Sequence, residues 1–247
     1  MRALLALLSL TAFAGTHAAN EIDAKVEAAL AAESRPAADR ARDDNRLPLE
    51  TLNFFGMKDN MRVLEIIPGR GWYTRVLAPV LAENGTLYVA IGTDRIKEGV
   101  LTEPGFEKVE LLETSANLRR SDQRGVYLVD EFDFGVTALD MAVTFRNLHN
   151  FDKATRDRIN GNVFKALKSG GLYGVIDHTR RHMEEDNPEN RRRIDPVLVV
   201  KEMLAHGFEF VAYSDLHFRA DDELEYEVGR RSVSGNTDRF TFLFRKP

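Results

Sequence analysis

The chain has 247 residues, enough for one large α/β domain or two small ones. Its 43% hydrophobic and 30% charged residues are ordinary for a soluble globular protein. A net charge of −5 gives no bulk attraction for nucleic acid, and zero cysteines exclude disulfides, thiolate metal sites and cysteine nucleophiles.

Arg2 precedes an apolar run over residues 3–14, and Gly15, Thr16, His17, Ala18 and Ala19 follow. This is the charged, apolar and small-residue order of a secretory signal. The run is too short to span a bilayer, which needs about 20 residues. Residues 1–18 are therefore expected to be a signal peptide cleaved after Ala18, with Ala14 as the alternative site. No stable membrane insertion is expected afterwards, and the mature protein is expected to be periplasmic or secreted. A buried N-terminal helix is the competing reading. Residues 19–60 read as an N-terminal helical extension. They comprise a helix over 20–32, Pro36, a charged segment over 37–44 and a second helix over 49–55.

Residues 61–247 read as one α/β domain. Val63, Leu64, Ile66 and Ile67 form the apolar run of a central parallel strand covered on both faces. Gly69 and Gly71 follow, where backbone is free to approach a ligand that a Cβ would exclude. Tyr73, Val76, Leu77, Val80 and Leu81 recur at helical spacing, Asn84-Gly85 stops the helix, and residues 87–91 form the next strand. Such a βαβ unit binds ligands at the carboxyl end of its first strand. Further strands are expected over 107–113, 139–145, 172–176, 208–213 and 240–244. One helix is capped by Asn150 or Asp152 and stopped at Gly170-Gly171, and another covers 196–205 with Pro196 in its first turn. This alternation predicts a doubly wound, mostly parallel, seven-stranded Rossmann-like sheet with an antiparallel C-terminal edge.

Several side chains stand where chemistry is done. Glu65 lies in an apolar strand, where a charge needs a partner or a ligand. His149 falls just past the strand ending at Phe145, at the ligand edge, and His178 follows Asp177 at the equivalent edge of the next strand. Both suit general-base work, and packing or capping is the plainer role for each. Asn147 faces the same choice between holding a ligand and satisfying a strand terminus. The arginines at 180, 181 and 191–193 read as a solvated loop or a substrate lid. The six histidines show no metal-ligand spacing, so no metal is expected. A nicotinamide site would want a third glycine where Thr74 stands.

The element order, with segments 35–42, 63–74, 144–150 and 237–247, resembles the class I S-adenosylmethionine-dependent methyltransferases. It is most similar to bacterial predicted methyltransferases that carry signal peptides. The resemblance implies S-adenosylmethionine as methyl donor and a small-molecule substrate. It implies cofactor contacts at Glu65, Ile67, Pro68, Gly69, Gly71, Tyr73, Asp94 and Asn147, with His149 as catalytic base and His178 in reserve. Glu65 matches the acidic residue that usually ends the first strand, and Gly69 and Gly71 match the second and third glycines of Gly-x-Gly-x-Gly. Ile67 occupies the first glycine position, where the signal-bearing relatives also place a bulky residue. The acid usual at the end of the second strand is replaced by Ile91 and Gly92, with Asp94 a little further on. The run 149–151, His-Asn-Phe, is similar to the His-Asp-Trp run of small-molecule O-methyltransferases, in which the histidine is the base. No Asp/Asn-Pro-Pro-aromatic motif is present, which argues against methylation of base or glutamine amino groups. The alternative is a binding protein that keeps this fold without methyl transfer.

Overall fold

The computed structural model describes residues 22–247, and the expected signal segment lies outside them. The N-terminal part forms helices α1 (Asp23–Ala31), α2 (Ala37–Arg40), α3 (Asp43–Arg46) and α4 (Pro48–Phe54). The α/β unit then runs β1 (Arg62–Ile66), α5 (Thr74–Leu81), β2 (Thr86–Ala90), α6 (Asp94–Lys97) and β3 (Glu110–Leu111). A two-stranded ribbon, β4 (Leu118–Arg120) with β5 (Tyr127–Val129), precedes β6 (Leu139–Phe145), α7 (Lys153–Ala166) and β7 (Leu167–His178). The chain ends with α8 (Pro196–Ala205), β8 (Glu209–Ser214) and β9 (Arg239–Arg245).

The main sheet has seven strands in the order β3-β2-β1-β6-β7-β9-β8. All its pairings are parallel except those of β9, which runs antiparallel to both β7 and β8. The C-terminal hairpin forms the expected antiparallel edge, with β9 inboard and β8 outermost. The winding reverses between β1 and β6, and a doubly wound sheet opens its ligand crevice at the carboxyl ends of those strands.

Alternation along the strands feeds two cores. Val63, Val89 and Val143 point to one face, packed with Ile22 and Val26 of the N-terminal segment and with Val76 and Leu77 of α5. Leu64, Ala90, Ala142 and Val175 point to the other, under Ile159 and Val163 of α7 and Met203 of α8. The N-terminal helices are thus part of the main core. Phe55 fixes them there, because its ring occupies the space where a Cβ on Gly174 would stand, 2.6 Å away. No helix among the described residues is long and apolar enough to cross a membrane.

β6 and α8 match their expected bounds, since each has an uninterrupted apolar run or a proline start. Asp152, one of the two expected caps, begins α7 by accepting the Thr155 backbone N–H at 2.8 Å. β3 is two residues long instead of seven, because it pairs on one side only and finds two partners on β2. β7 starts at Leu167, directly after α7, and Gly170-Gly171 fall within its register shift instead of ending the helix.

Candidate active site

A cleft of about 620 Å³ opens at the carboxyl ends of β1, β6 and β7. Of the residues expected there, Glu65, Ile67, Pro68, Gly69, Tyr73, Asn147, His149 and His178 line it. Two expectations are corrected. Asp94 is not on the cleft wall; it lies exposed in the first turn of α6, and Arg95 beside it faces the cleft. Gly71 is also off the wall. A Cβ there would meet Val100 at 2.6 Å, so packing demands this glycine. Gly69, at φ +64°, lines the cleft and has nothing within 4 Å of where a Cβ would stand.

Three strand ends at this edge finish in left-handed backbone: Ile67 after β1 (φ +56°), Ile91 after β2 (φ +64°) and Arg146 after β6 (φ +62°). For β-branched and bulky residues this conformation is strained, by about 1–3 kcal/mol each. Ile67 therefore adopts the backbone that a glycine takes freely. Asn147 pins that turn: its amide nitrogen donates to the carbonyls of Ile66 (3.2 Å) and Ile67 (3.3 Å) and to Thr144 Oγ1 (3.1 Å). Its donors thus serve the strand terminus.

Glu65 is 2% exposed, and its carboxylate accepts from Thr74 Oγ1 at 2.6 Å, at the start of α5. Burial pushes its pKa up to about 7, against smaller opposing effects of the Thr74 hydroxyl and the Arg46 charge. A folded-state pKa above the unfolded value of 4.5 means that the folded state holds the proton more tightly. The stability this gives is complete below pH 4.5 and is lost as pH rises through about 7. The difference between those limits is about 3 kcal/mol. Glu65→Gln removes that dependence. Denaturant unfolding at pH 8 and pH 4.5 is expected to show the variant gaining on the wild type at the higher pH by that order. A gap that does not change with pH would contradict it.

His149 and Asp177 form a close pair. His149 Nδ1 lies 2.5 Å from Asp177 Oδ1, and Asp177 is fully buried. The Asp177 oxygens also accept the backbone N–H groups of His149 (3.1 Å) and His178 (2.7 Å). A carboxylate so placed takes a proton donor from the ring, so Nδ1 carries the hydrogen and Nε2 is left as an acceptor. His178, 5.5 Å from His149 between ring centroids, is paired through Nδ1 with Thr237 Oγ1 at 2.9 Å. Burial, then the neighbouring His149 and Arg146, hold it well below the usual histidine range and so neutral.

Aromatic and basic side chains make up much of the remaining wall. Tyr73 stacks on Phe145 at 3.5 Å between centroids, and Trp72 packs edge-on against Tyr73. Arg46 of α3 lies over Trp72, Arg146 follows β6, and Arg239 opens β9. Thr237 and Gly235 close the cleft from the segment that joins β8 to β9.

Neither a family model nor a curated protein matches the sequence. Solved structures do match in fold. One is a SAM-dependent methyltransferase from Aquifex aeolicus, at TM-score 0.58 and 16% identity, covering 83% of this chain and 92% of that one. The glycopeptide N-methyltransferase MtfA complexed with S-adenosylmethionine gives TM-score 0.51 and 15% identity over 81% of this chain and 87% of that one. The cyclase SpnF gives TM-score 0.54 and 16% identity over 82% and 80%. The fold is that of the class I methyltransferases, and the SpnF likeness shows that a cyclase shares it.

Proposed function

We propose that this chain is an S-adenosylmethionine-dependent methyltransferase acting on a small molecule after export to the periplasm. One observation carries the reading: Glu65, the open turn at Gly69 and the His149–Asp177 pair share one cleft at the switch point of the sheet. A buried carboxyl beside a glycine turn with room for a ligand backbone suits the ammonium end of S-adenosylmethionine. When bound, that cofactor supplies an electrophilic methyl group on a sulfonium. The chain's own part is to orient the acceptor and to take its proton on His149 Nε2, with Asp177 holding the ring.

Calorimetry of the mature protein with S-adenosylmethionine and S-adenosylhomocysteine is the test. Micromolar binding supports the enzyme, and silence at millimolar ligand supports a repurposed binding protein. The strained Ile67 and the many arginines of the cleft favour that second reading. The two glycines sharpen the test. Gly69→Val is expected to abolish cofactor binding with a modest loss of stability, because it adds bulk to a turn that lines the cleft. Gly71→Ala is expected to cost about 1–3 kcal/mol through its clash with Val100 while binding persists. Binding that survives Gly69→Val puts the pocket elsewhere. Ile67→Gly is expected to tighten binding by relieving the turn.

Export rests on the N-terminal pattern alone. Mass spectrometry of the exported protein is expected to find a chain starting at Ala19. A cytosolic product that retains Met1 sinks it.

A further inference from the structure

We propose that the cleft binds an oxyanion carrying at least two negative charges, a phosphate or a polycarboxylate, on Arg46, Arg146 and Arg239, and that this group anchors the substrate. The site stands on its own geometry; its assignment to a substrate rests on the methyltransferase reading.

The three guanidinium groups come from α3, from the strained residue after β6 and from the start of β9, and all line the same cleft. Arg46 and Arg239 are each 4% exposed, and the Nε of each is buried with no hydrogen-bond partner. Arg239 spends one Nη on the Asn45 carbonyl at 2.7 Å. Arg46 instead lies on the Trp72 ring at 4.3 Å. None of the three forms an ion pair with a carboxylate among the described residues. Of the other arginines of the wall, Arg42 is paired with Asp39 and Arg192 with Glu227, while Arg70 and Arg95 are exposed.

The backbone at Arg46 is also held in place. His217 bridges the Arg46 carbonyl (3.0 Å) and Thr241 Oγ1 (2.7 Å), and Thr51 Oγ1 donates to the same carbonyl at 3.2 Å. Such a cluster costs free energy in the empty protein. Burial lowers the proton affinity of all three, to about 9 for Arg46 and about 10 for Arg239; Arg146 repels the other two, Arg42 repels Arg146, and Asp177 and Asp238 offset part of this at Arg146 and Arg239, so all three stay charged at neutral pH. Glu65, whose pKa is about 7, is the one carboxylic acid on this wall and balances a fraction of one charge. Buried charges are retained where something pairs with them, and planar guanidinium forks match carboxylate and phosphate oxygens. In a protein of net charge −5, two buried arginines and a half-buried third, none ion-paired with a carboxylate among the described residues, face one cleft and define an anion site.

Trp72 is the chain's single tryptophan, so its fluorescence reads the Arg46 environment without a label. The mature protein is titrated with inorganic pyrophosphate, inorganic phosphate and citrate at constant ionic strength. Pyrophosphate or citrate is expected to give a saturable change with a midpoint below about 1 mM, weaker for phosphate. Which of the two wins separates phosphate from carboxylate recognition. Arg146→Gln and Arg239→Gln are each expected to weaken the response by ~10–100-fold. Each is also expected to melt higher than the wild type without anion, since it removes a repelling charge. Arg230→Gln, on the surface with Glu189, is expected to change nothing. No saturable response to any of the three anions, or an equal response in the arginine variants, overturns the site. If S-adenosylhomocysteine abolishes the pyrophosphate response, the arginines hold the cofactor's own carboxylate and the substrate assignment falls. If the anion binds while calorimetry shows no S-adenosylmethionine binding, the anion site stands and the methyltransferase reading fails.

Discussion

His149→Gln is expected to leave cofactor affinity within a few-fold and to lower turnover by ~10²–10⁴-fold. Its ring is held from behind by a fully buried carboxylate, which leaves Nε2 as the acceptor on the cleft side. Asp177→Asn tests the same arrangement without touching the ring. The amide offers one acceptor where the carboxylate offers two, and three N–H groups now compete for it. One carboxylate oxygen serves both the His178 N–H and Nδ1; with the amide NH₂ at that position it faces Nδ1, which places the ring hydrogen on Nε2 and removes the base, and leaves the His178 N–H without its acceptor. Turnover is expected to fall by a similar factor, with KM nearly unchanged and a stability loss of about 1–3 kcal/mol from the unsatisfied buried donor. A purely structural role for the pair predicts otherwise: stability falls, and the turnover of the folded fraction stays within about tenfold.

The parts of this site that the sequence announced are those where one local pattern carries the signal. Glu65 interrupts an apolar strand, Gly69 breaks the chain before a helix, and His149 comes just after a run of seven strand residues. Each sits at the end of an element whose periodicity is readable, so its edge is readable too. Asp177 was visible as the last residue of a strand, yet its partnership with His149 needs β6 and β7 to be neighbours. The arginines are a harder case. Arg46, Arg146 and Arg239 are far apart in sequence, share no spacing, and flank segments that read as a charged loop, a strand end and a hairpin. Their signal is the cost of their burial, which only the packed protein reveals. The helices α2 and α3 were missed for a related reason. Each has four residues, too few to nucleate alone, and both are held by tertiary contacts: Arg35 with Asp43, and Trp72 Nε1 to the Asp39 carbonyl. The same contacts bring Arg46 to the cleft.

Arg193→Met is expected to cost about 3–5 kcal/mol in urea unfolding, the largest stability effect at any single position named here. Arg193 belongs to the charged stretch whose composition suggests a solvated loop, yet its side chain is fully buried and its partner Asp222 is 1% exposed. The pair is bidentate at 2.8 and 2.9 Å, and Arg193 also donates to the carbonyls of Tyr226 (2.7 Å) and Thr179 (3.1 Å). Methionine fills much of the volume but leaves Asp222 ionised in a dry site. A second change, Asp222→Leu, removes that stranded charge and is expected to recover part of the loss. The recovery stays incomplete because Asp222 also accepts the backbone N–H groups of Asp238 (2.6 Å) and Leu224 (3.1 Å). That bond to Asp238 ties the pair to the cleft, since Thr237 and Arg239 lie on either side of it and both line the wall. Arg193→Met is therefore expected to weaken pyrophosphate binding as well, even at temperatures where the variant stays folded. A stability loss below about 1 kcal/mol shows that the pair behaves as a hydrated surface bridge. Full loss of stability with unchanged anion affinity shows that the segment closing the cleft is held by its other contacts.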